Sequence, residues 1–193
     1  MEITRRGFFA TAATAGGALA AAWLSADPEK LLAAGAHAAR AARENPPPPF
    51  EVLTAAQAAD LDAATSQIIP TDDTPGAHEM HVVHFIDKSL ATWAKDQQSR
   101  IERGLLELRQ RAAKENAAAT SFAMLTDDQR HAVIASLERD KHPFFFLLRG
   151  ATVTGILSNP EYGGNFNKLG WKMIGFNDQF SWAAPFGWYD ANA

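Results

Sequence analysis

Three histidines at three-residue spacing come nearest in this chain to a metal-binding pattern. They are His78, His81 and His84. On a helix, which turns ~100° per residue, consecutive members are neighbours, but all three do not converge easily on one ion. No carboxylate completes a familiar ligand spacing, and the H-E-x-x-H arrangement of zinc proteases is absent. We therefore predict no metal site, and we keep a stand-alone exported metalloprotein that uses these histidines as an alternative.

Other residue types that catalyse reactions or hold cofactors form weaker patterns. Asp72 and Asp73, with Asp87 further on, resemble paired carboxylates, but adjacent residues in a turn point apart. The chain has no cysteine, which excludes thiolate metal sites, iron–sulfur clusters and covalently attached c-type haem. There is no G-x-S-x-G nucleophile motif, and the glycine pair at 163–164 lacks the spacing of a dinucleotide site. The sequence thus predicts no catalytic, cofactor-binding or metal-binding residues.

The segments that would position these side chains have helical patterns throughout. Thr54 with Gln57, and Thr126 with Gln129, have the spacing of capping boxes at helix starts. Pro143 suits the first turn of a helix. No stretch alternates polar and apolar residues as a half-buried strand does. We predict an all-α domain of four to five helices, closed by an irregular C-terminal segment that is rich in glycine and aromatic residues.

Two of these helical patterns supply much of the apolar surface for a core. One resumes at Glu79 and breaks near residues 97–99. Its apolar face consists of Val82, Phe85, Ile86, Leu90 and Trp93. The other follows Pro143, where residues 144–148 are five apolar residues in a row. A helix start that is apolar on all sides is typical of the buried centre of a helical domain.

The N-terminus resembles a protein-export signal. Arg5 and Arg6 precede Phe8 within an uncharged run of mainly Ala, Gly and Thr from residue 7 to 26. Adjacent arginines before a weakly apolar run resemble the twin-arginine signal, which a receptor reads. We assign 1–26 to the export signal, 27–49 to an Ala-rich segment with a proline linker, and 50–193 to the helical domain. The alternative is that 7–26 is retained as an anchor of a structural protein.

Residues 162–176, YGGNFNKLGWKMIGF, combine glycines with aromatic side chains. Glycine permits positive φ and close backbone approach, and Tyr and Trp are frequent hot spots in protein interfaces. The pattern predicts a partner-binding surface, and the alternative is that these rings fill the domain's own core. The residues predicted to contact a partner, or to shape the contact, are Tyr162, Gly163, Gly164, Asn165, Gly170, Trp171, Ile174, Gly175 and Phe176.

Four stretches of this chain together resemble the gluconate 2-dehydrogenase subunit 3 family. They are residues 4–9, residues 53–54 leading to 68–70, residues 74–77 leading to 85–87, and residues 159–165 followed by 170–176. The last stretch, NPEYGGN with GWKMIGF, is the most specific. The resemblance implies a small, exported helical subunit of a membrane-associated, flavin-dependent sugar or polyol dehydrogenase.

The same resemblance implies that this chain has no active site of its own. A large partner subunit of the glucose–methanol–choline (GMC) oxidoreductase type would hold FAD, and a multihaem cytochrome c subunit would pass electrons to quinone. The small subunit would bind, stabilise and export the large one through the twin-arginine translocase, into the periplasm at the inner membrane. The large subunit would select the sugar or polyol. A net charge of −4 provides no basic field for nucleic acid.

Overall fold

The computed structural model describes residues 48–179, so the predicted export signal with Arg5, Arg6 and Phe8 lies outside this range. The described part contains helices and no strands, which confirms the predicted all-α class. Five helices have ten or more residues, and a single-turn sixth helix lies in the Gly/aromatic segment. They are α1 (Ala55–Ile68), α2 (Val82–Ala91), α3 (Gln98–Glu115), α4 (Asp127–Arg139), α5 (Pro143–Leu157) and α6 (Leu169–Met173). None of these helices is long and apolar enough to cross a membrane.

Helix α1 is central and packs against α2, α3, α4 and α5. Its start is the predicted capping box, in which Thr54 accepts a hydrogen bond from the Gln57 amide and the Gln57 side chain accepts one from the Thr54 amide. These two bonds satisfy backbone donors that a helix N-terminus otherwise leaves free. Leu61 and Ala64 then bury their side chains completely. A local sequence signal therefore sets where the central helix begins.

A fully buried carboxylate ties α1 to its surroundings. One oxygen of Asp60 accepts a hydrogen bond from Arg109 Nε on α3 at 2.9 Å, and the other accepts one from the Ala123 amide at 3.0 Å. Burial of a charge is tolerated when it is paired and hydrogen-bonded, as it is here. Asp60 thus fixes the position of α3 and of the loop before α4 relative to the centre of the domain.

A second buried carboxylate holds the chain where it enters the domain. Asp87 on α2 accepts hydrogen bonds from three successive backbone amides, those of Glu51, Val52 and Leu53, at 2.7, 3.0 and 2.8 Å. Hydrogen bonds to an ionised acceptor are stronger than neutral ones. Asp87 therefore anchors the entering chain, which is a structural role for this carboxylate.

Helix α2 is shorter than its apolar pattern predicts. It begins at Val82 because His81 has a left-handed backbone conformation, with φ of 55°, so Glu79 precedes the helix. It ends at Ala91, and Trp93 lies beyond it with 55% of its surface exposed. The prediction that Trp93 belongs to the apolar core face is therefore wrong, because the helical repeat that would carry it inward has already stopped.

Helix α5 begins at Pro143, as predicted. Phe144, Phe145 and Leu148 are buried against the domain, but Phe146 is 53% exposed. At ~100° per residue a helix cannot direct five successive side chains to one side, and the far side of this turn is open. The prediction of an entirely buried helix start is therefore wrong at Phe146.

Candidate functional site

The Gly/aromatic region, residues 159–176, folds back after α5 and lies against the backbones of α5 and α2. A Cβ atom added at Gly170 would lie 1.7 Å from the carbonyl oxygen of Ile156, and one at Gly164 would lie 2.4 Å from that of Gly155. Gly163 has φ of 95°, and a Cβ atom there would lie 3.0 Å from the carbonyl oxygen of His84 in α2. Side chains have no room at these positions. We call residues 159–176 the C-terminal segment. Glycine is required in it because only a residue without a side chain lets the segment pack directly on these backbones.

Asn165 fixes the turn at the centre of the C-terminal segment. It is fully buried and has a left-handed backbone with φ of 47°, which asparagine tolerates better than most residues. Its Nδ2 donates to the carbonyl of Ser158 at 2.8 Å, and its Oδ1 accepts from the amide of Gly170 at 2.8 Å. One side chain therefore bonds to the end of α5 and to the start of α6.

Tyr162 and Trp93 form an exposed aromatic pair beside this turn. Their ring centroids are 5.2 Å apart in an edge-to-face arrangement, and about half of each side chain is exposed to solvent. Trp93 also approaches Phe85 of the core, with 6.2 Å between centroids. Lys88 donates a hydrogen bond to the Glu161 carbonyl at 2.5 Å, which holds the backbone next to Tyr162. Two large rings are thus presented to solvent on a fixed backbone.

A second aromatic pair lies at the end of the C-terminal segment. Trp171 donates its indole N–H to the Leu157 carbonyl at 2.8 Å and is half-buried. Phe176 is 49% exposed and meets Trp171 edge to face at 5.2 Å. Gly175, with φ of 70°, makes the turn between them, and Ile174 is half-buried. This pair likewise combines an anchored ring with an exposed one.

The nine residues predicted for the partner interface therefore occupy two kinds of position. Gly164, Asn165 and Gly170 are buried within the chain's own packing, and Gly163 is close to it. Tyr162 and Phe176 are the large side chains that face outward. Sequence reasoning missed Trp93 as a member of the surface. Trp93 is exposed because α2 ends at Ala91. The sequence gives no sign of this end, since neither proline nor glycine follows Ala91 directly.

The predicted histidine set forms part of a row of stacked rings. His81 stacks on Phe166 with 4.1 Å between centroids, and His84 stacks on Phe50 with 4.6 Å. The two histidine rings are 5.6 Å apart. Burial lowers the pKa of His81 to about 4, and the charges of His84 and His78 act in the same direction. Burial also lowers the pKa of His84.

His78 faces a different partner from the other two histidines. Its Nδ1 is 2.7 Å from Oδ2 of Asp62, and this hydrogen bond raises the pKa of His78. The structure therefore places the three histidines of the alternative metalloprotein hypothesis against three separate partners. Among residues 48–179, no three His, Asp or Glu side chains form a group that could hold a metal ion.

Two glycines of similar helical context should respond oppositely to alanine. Gly170→Ala places a methyl group on the Ile156 carbonyl and should lower the free energy of unfolding by about 3 kcal/mol. Gly150→Ala in α5 meets nothing within 4 Å and should raise it by about 0.5–1 kcal/mol. Urea denaturation of both variants measures the difference. Equal tolerance at the two positions would contradict the close packing of the C-terminal segment on α5.

The histidine row should make stability depend on pH. The folded-state pKa of His81 is about 4 and its ordinary value is 6.5, so the unfolded chain binds a proton that the folded chain does not. Stability from His81 is complete above pH 6.5 and is lost as the pH falls towards 4. His81→Asn tolerates the left-handed backbone and should flatten this slope in urea unfolding measured across that window.

His78→Asn is the matched control for this experiment. The raised pKa of His78 gives stability that is present below pH 6.5 and is lost as the pH rises through the raised value, so its removal should change the slope above pH 6.5 and leave the slope between pH 4 and 6.5 nearly unchanged. The effect should be small because the His78 side chain is largely exposed. A His81→Asn slope equal to that of the unmodified protein would show that the ring row does not couple protonation to folding.

A comparison with protein families gives a match that covers this region. The family model described as gluconate 2-dehydrogenase subunit 3 matches residues 55–178, which is more than half of the chain. The comparisons with curated proteins and with solved structures gave no match. The matched residues include α1 to α6, both exposed aromatic pairs and the Asn165 turn. This chain therefore belongs to the gluconate 2-dehydrogenase subunit 3 family.

Proposed function

We propose that this chain is the non-catalytic small subunit of a periplasmic, membrane-associated sugar or polyol dehydrogenase complex. It binds, stabilises and co-exports a larger FAD-dependent flavoprotein of the GMC type. Family membership supports the role of a subunit, since the family's own description is that of a dehydrogenase subunit. The observation that carries the proposal is the exposed Trp93–Tyr162 pair, which stands on a backbone that the C-terminal segment holds in place.

An exposed ring pair of this kind is suited to binding another protein. Tyr and Trp contribute large contact area with few rotatable bonds, and they are enriched among the residues that contribute most to binding. Because Gly164 and Gly170 lock the backbone, little conformational entropy remains to be lost when the rings are covered. Phe176 adds a further exposed aromatic ring at the end of the segment. The flavoprotein is the partner that this surface would contact.

The chemistry of the complex would then be divided between its subunits. In this proposal FAD belongs to the large subunit, haem c to a cytochrome subunit that accepts electrons, and no cofactor to this chain. Arg5 and Arg6, with Phe8, direct the folded complex to the twin-arginine translocase. The large subunit determines which sugar or polyol is oxidised.

Removal of the exposed ring pair should release the flavoprotein. We expect Trp93→Ser combined with Tyr162→Ser to weaken its co-purification with the tagged chain by about tenfold, because hot-spot aromatics contribute on this scale. Met124→Ser is the control, since Met124 is a 61% exposed apolar side chain in a different loop. Flavin absorbance per mole of tagged chain is the readout. Undiminished flavin in the double variant, with circular dichroism unchanged, would exclude this pair from the interface.

Substitution of the two arginines in the signal should retain the dehydrogenase in the cytoplasm. Arg5→Lys with Arg6→Lys keeps the positive charge but removes the pair that the translocase receptor reads. Dehydrogenase activity, assayed in periplasmic and cytoplasmic fractions, should move to the cytoplasmic fraction. Arg40→Lys with Arg43→Lys in the Ala-rich segment is the control and should leave the distribution unchanged. Normal periplasmic activity in the signal variant would contradict the co-export role.

A further inference from the structure

A cleft lies between α3 and the first turns of α5. Its volume is about 490 Å³. It is lined by Arg100, Arg103, Gly104, Leu106, Glu107, Gln110, His142, Pro143, Phe144 and Leu147. None of these residues belongs to the nine assigned to the interface above, or to the Trp93–Tyr162 pair. The cleft is therefore a separate surface of the domain.

The floor of the cleft forms where α5 packs directly on the backbone of α3. A Cβ atom at Gly104 would lie 1.9 Å from the ring of Phe144, so the ring occupies the space that any other residue would fill. Pro143 begins α5 at this point, and Leu147 follows one turn later with a half-buried side chain. Opposite them, Leu106 of α3 is 57% exposed. The interior of the cleft thus has an apolar floor and an exposed apolar wall.

Two arginines, Arg100 and Arg103, give the rim of the cleft positive charge, and neither forms an ion pair among residues 48–179. Arg100 and Arg103 lie one turn apart on the exposed side of α3, where both are solvent-accessible. Arg100 bonds to the neutral side chain of Gln97, and Arg103 has no hydrogen-bond or ion-pair partner within residues 48–179. The acidic group of the lining, Glu107, is already paired with Arg111 at 2.7 Å.

Arg111 is itself shared between two carboxylates, because it also bonds to Asp140 at 2.7 Å. Glu107 thus forms its ion pair with Arg111 rather than with either arginine of the rim. A cationic rim is unexpected in a chain whose net charge is −4. Arginine also presents its donors in a planar fork that matches a carboxylate. The cleft therefore combines adjacent apolar surface with two guanidinium groups that form no ion pair among residues 48–179.

We propose that this cleft binds a short acidic segment of a protein partner. Carboxylate side chains of the segment pair with Arg100 and Arg103, and an apolar side chain lies between Leu106 and Leu147. Two arginines beside a committed glutamate form a smaller positive field than the clusters of four to eight basic residues that recognise anionic membranes. The negative net charge likewise disfavours nucleic acid. This inference does not depend on the proposed function, since it concerns a different surface.

Fluorescence anisotropy with the full-length chain and three labelled dodecapeptides tests the proposal. The first peptide alternates Glu with Leu and Phe, the second has Lys in place of Glu, and the third has Ser in place of Leu and Phe. We expect the first to bind at least about tenfold more tightly than either of the others, because charge and apolar contact both contribute. Arg100→Gln with Arg103→Gln should weaken that binding by about tenfold.

Two further variants keep the result specific to the cleft. Leu106→Ser removes the exposed apolar wall and should weaken binding by about threefold. Lys95→Gln with Lys114→Gln removes two exposed cations outside the cleft and should leave binding unchanged. Equal binding of the acidic and basic peptides, or equal loss in the lysine control, would overturn the proposal. Binding to vesicles of phosphatidylcholine and phosphatidylserine but to no peptide would instead assign the cleft to a membrane and overturn it.

Discussion

Direct contact between the backbone of the C-terminal segment and the backbone of α5 is the constraint on which the candidate surface depends. At Gly164 and Gly170 the two chains approach so closely that a single methyl group would displace one of them. Asn165 joins the same two elements through hydrogen bonds at both ends of its amide. Because the segment cannot move away from α5 without losing these contacts, Tyr162 and Phe176 keep a fixed orientation. The two rings are therefore exposed because the packing of the segment on α5 places them at the surface.

Helix α2 joins the entry of the domain to this segment. Asp87 binds the amides of residues 51–53, and His84 stacks on Phe50, so the chain is held immediately after its proline linker. His81, one turn earlier, stacks on Phe166 of the C-terminal segment. The two ends of the described chain are thus coupled through one short helix. Residue 50, where the described chain enters the domain, is thus held by the same helix that contacts the C-terminal segment.

The parts of this fold that sequence predicts well are those with local causes. The capping boxes at Thr54 and Thr126 and the helix start at Pro143 each depend on residues within one turn, and all three are present. The anchor at Asp87 joins residues 34 to 36 positions apart, and no spacing rule indicates such a contact. The sequence wrongly predicts Trp93 on the apolar face of α2, because this helix ends at Ala91 and no proline or glycine marks its end. The glycines of the segment predict that its backbone packs closely on another element, but no local pattern identifies that element as α5.

The proposed association with a flavoprotein can be measured by purifying the tagged chain from its native host and recording an absorbance spectrum and mass spectra of the co-eluting proteins. A C-terminal tag should be short, because aromatic residues continue to position 189 and a large tag could block their contact with a partner. We expect flavin absorbance bands that co-elute with this chain and belong to a larger subunit of the GMC type. A colourless, monodisperse single chain would contradict the proposed association, since the exposed rings would then have no flavoprotein to bind.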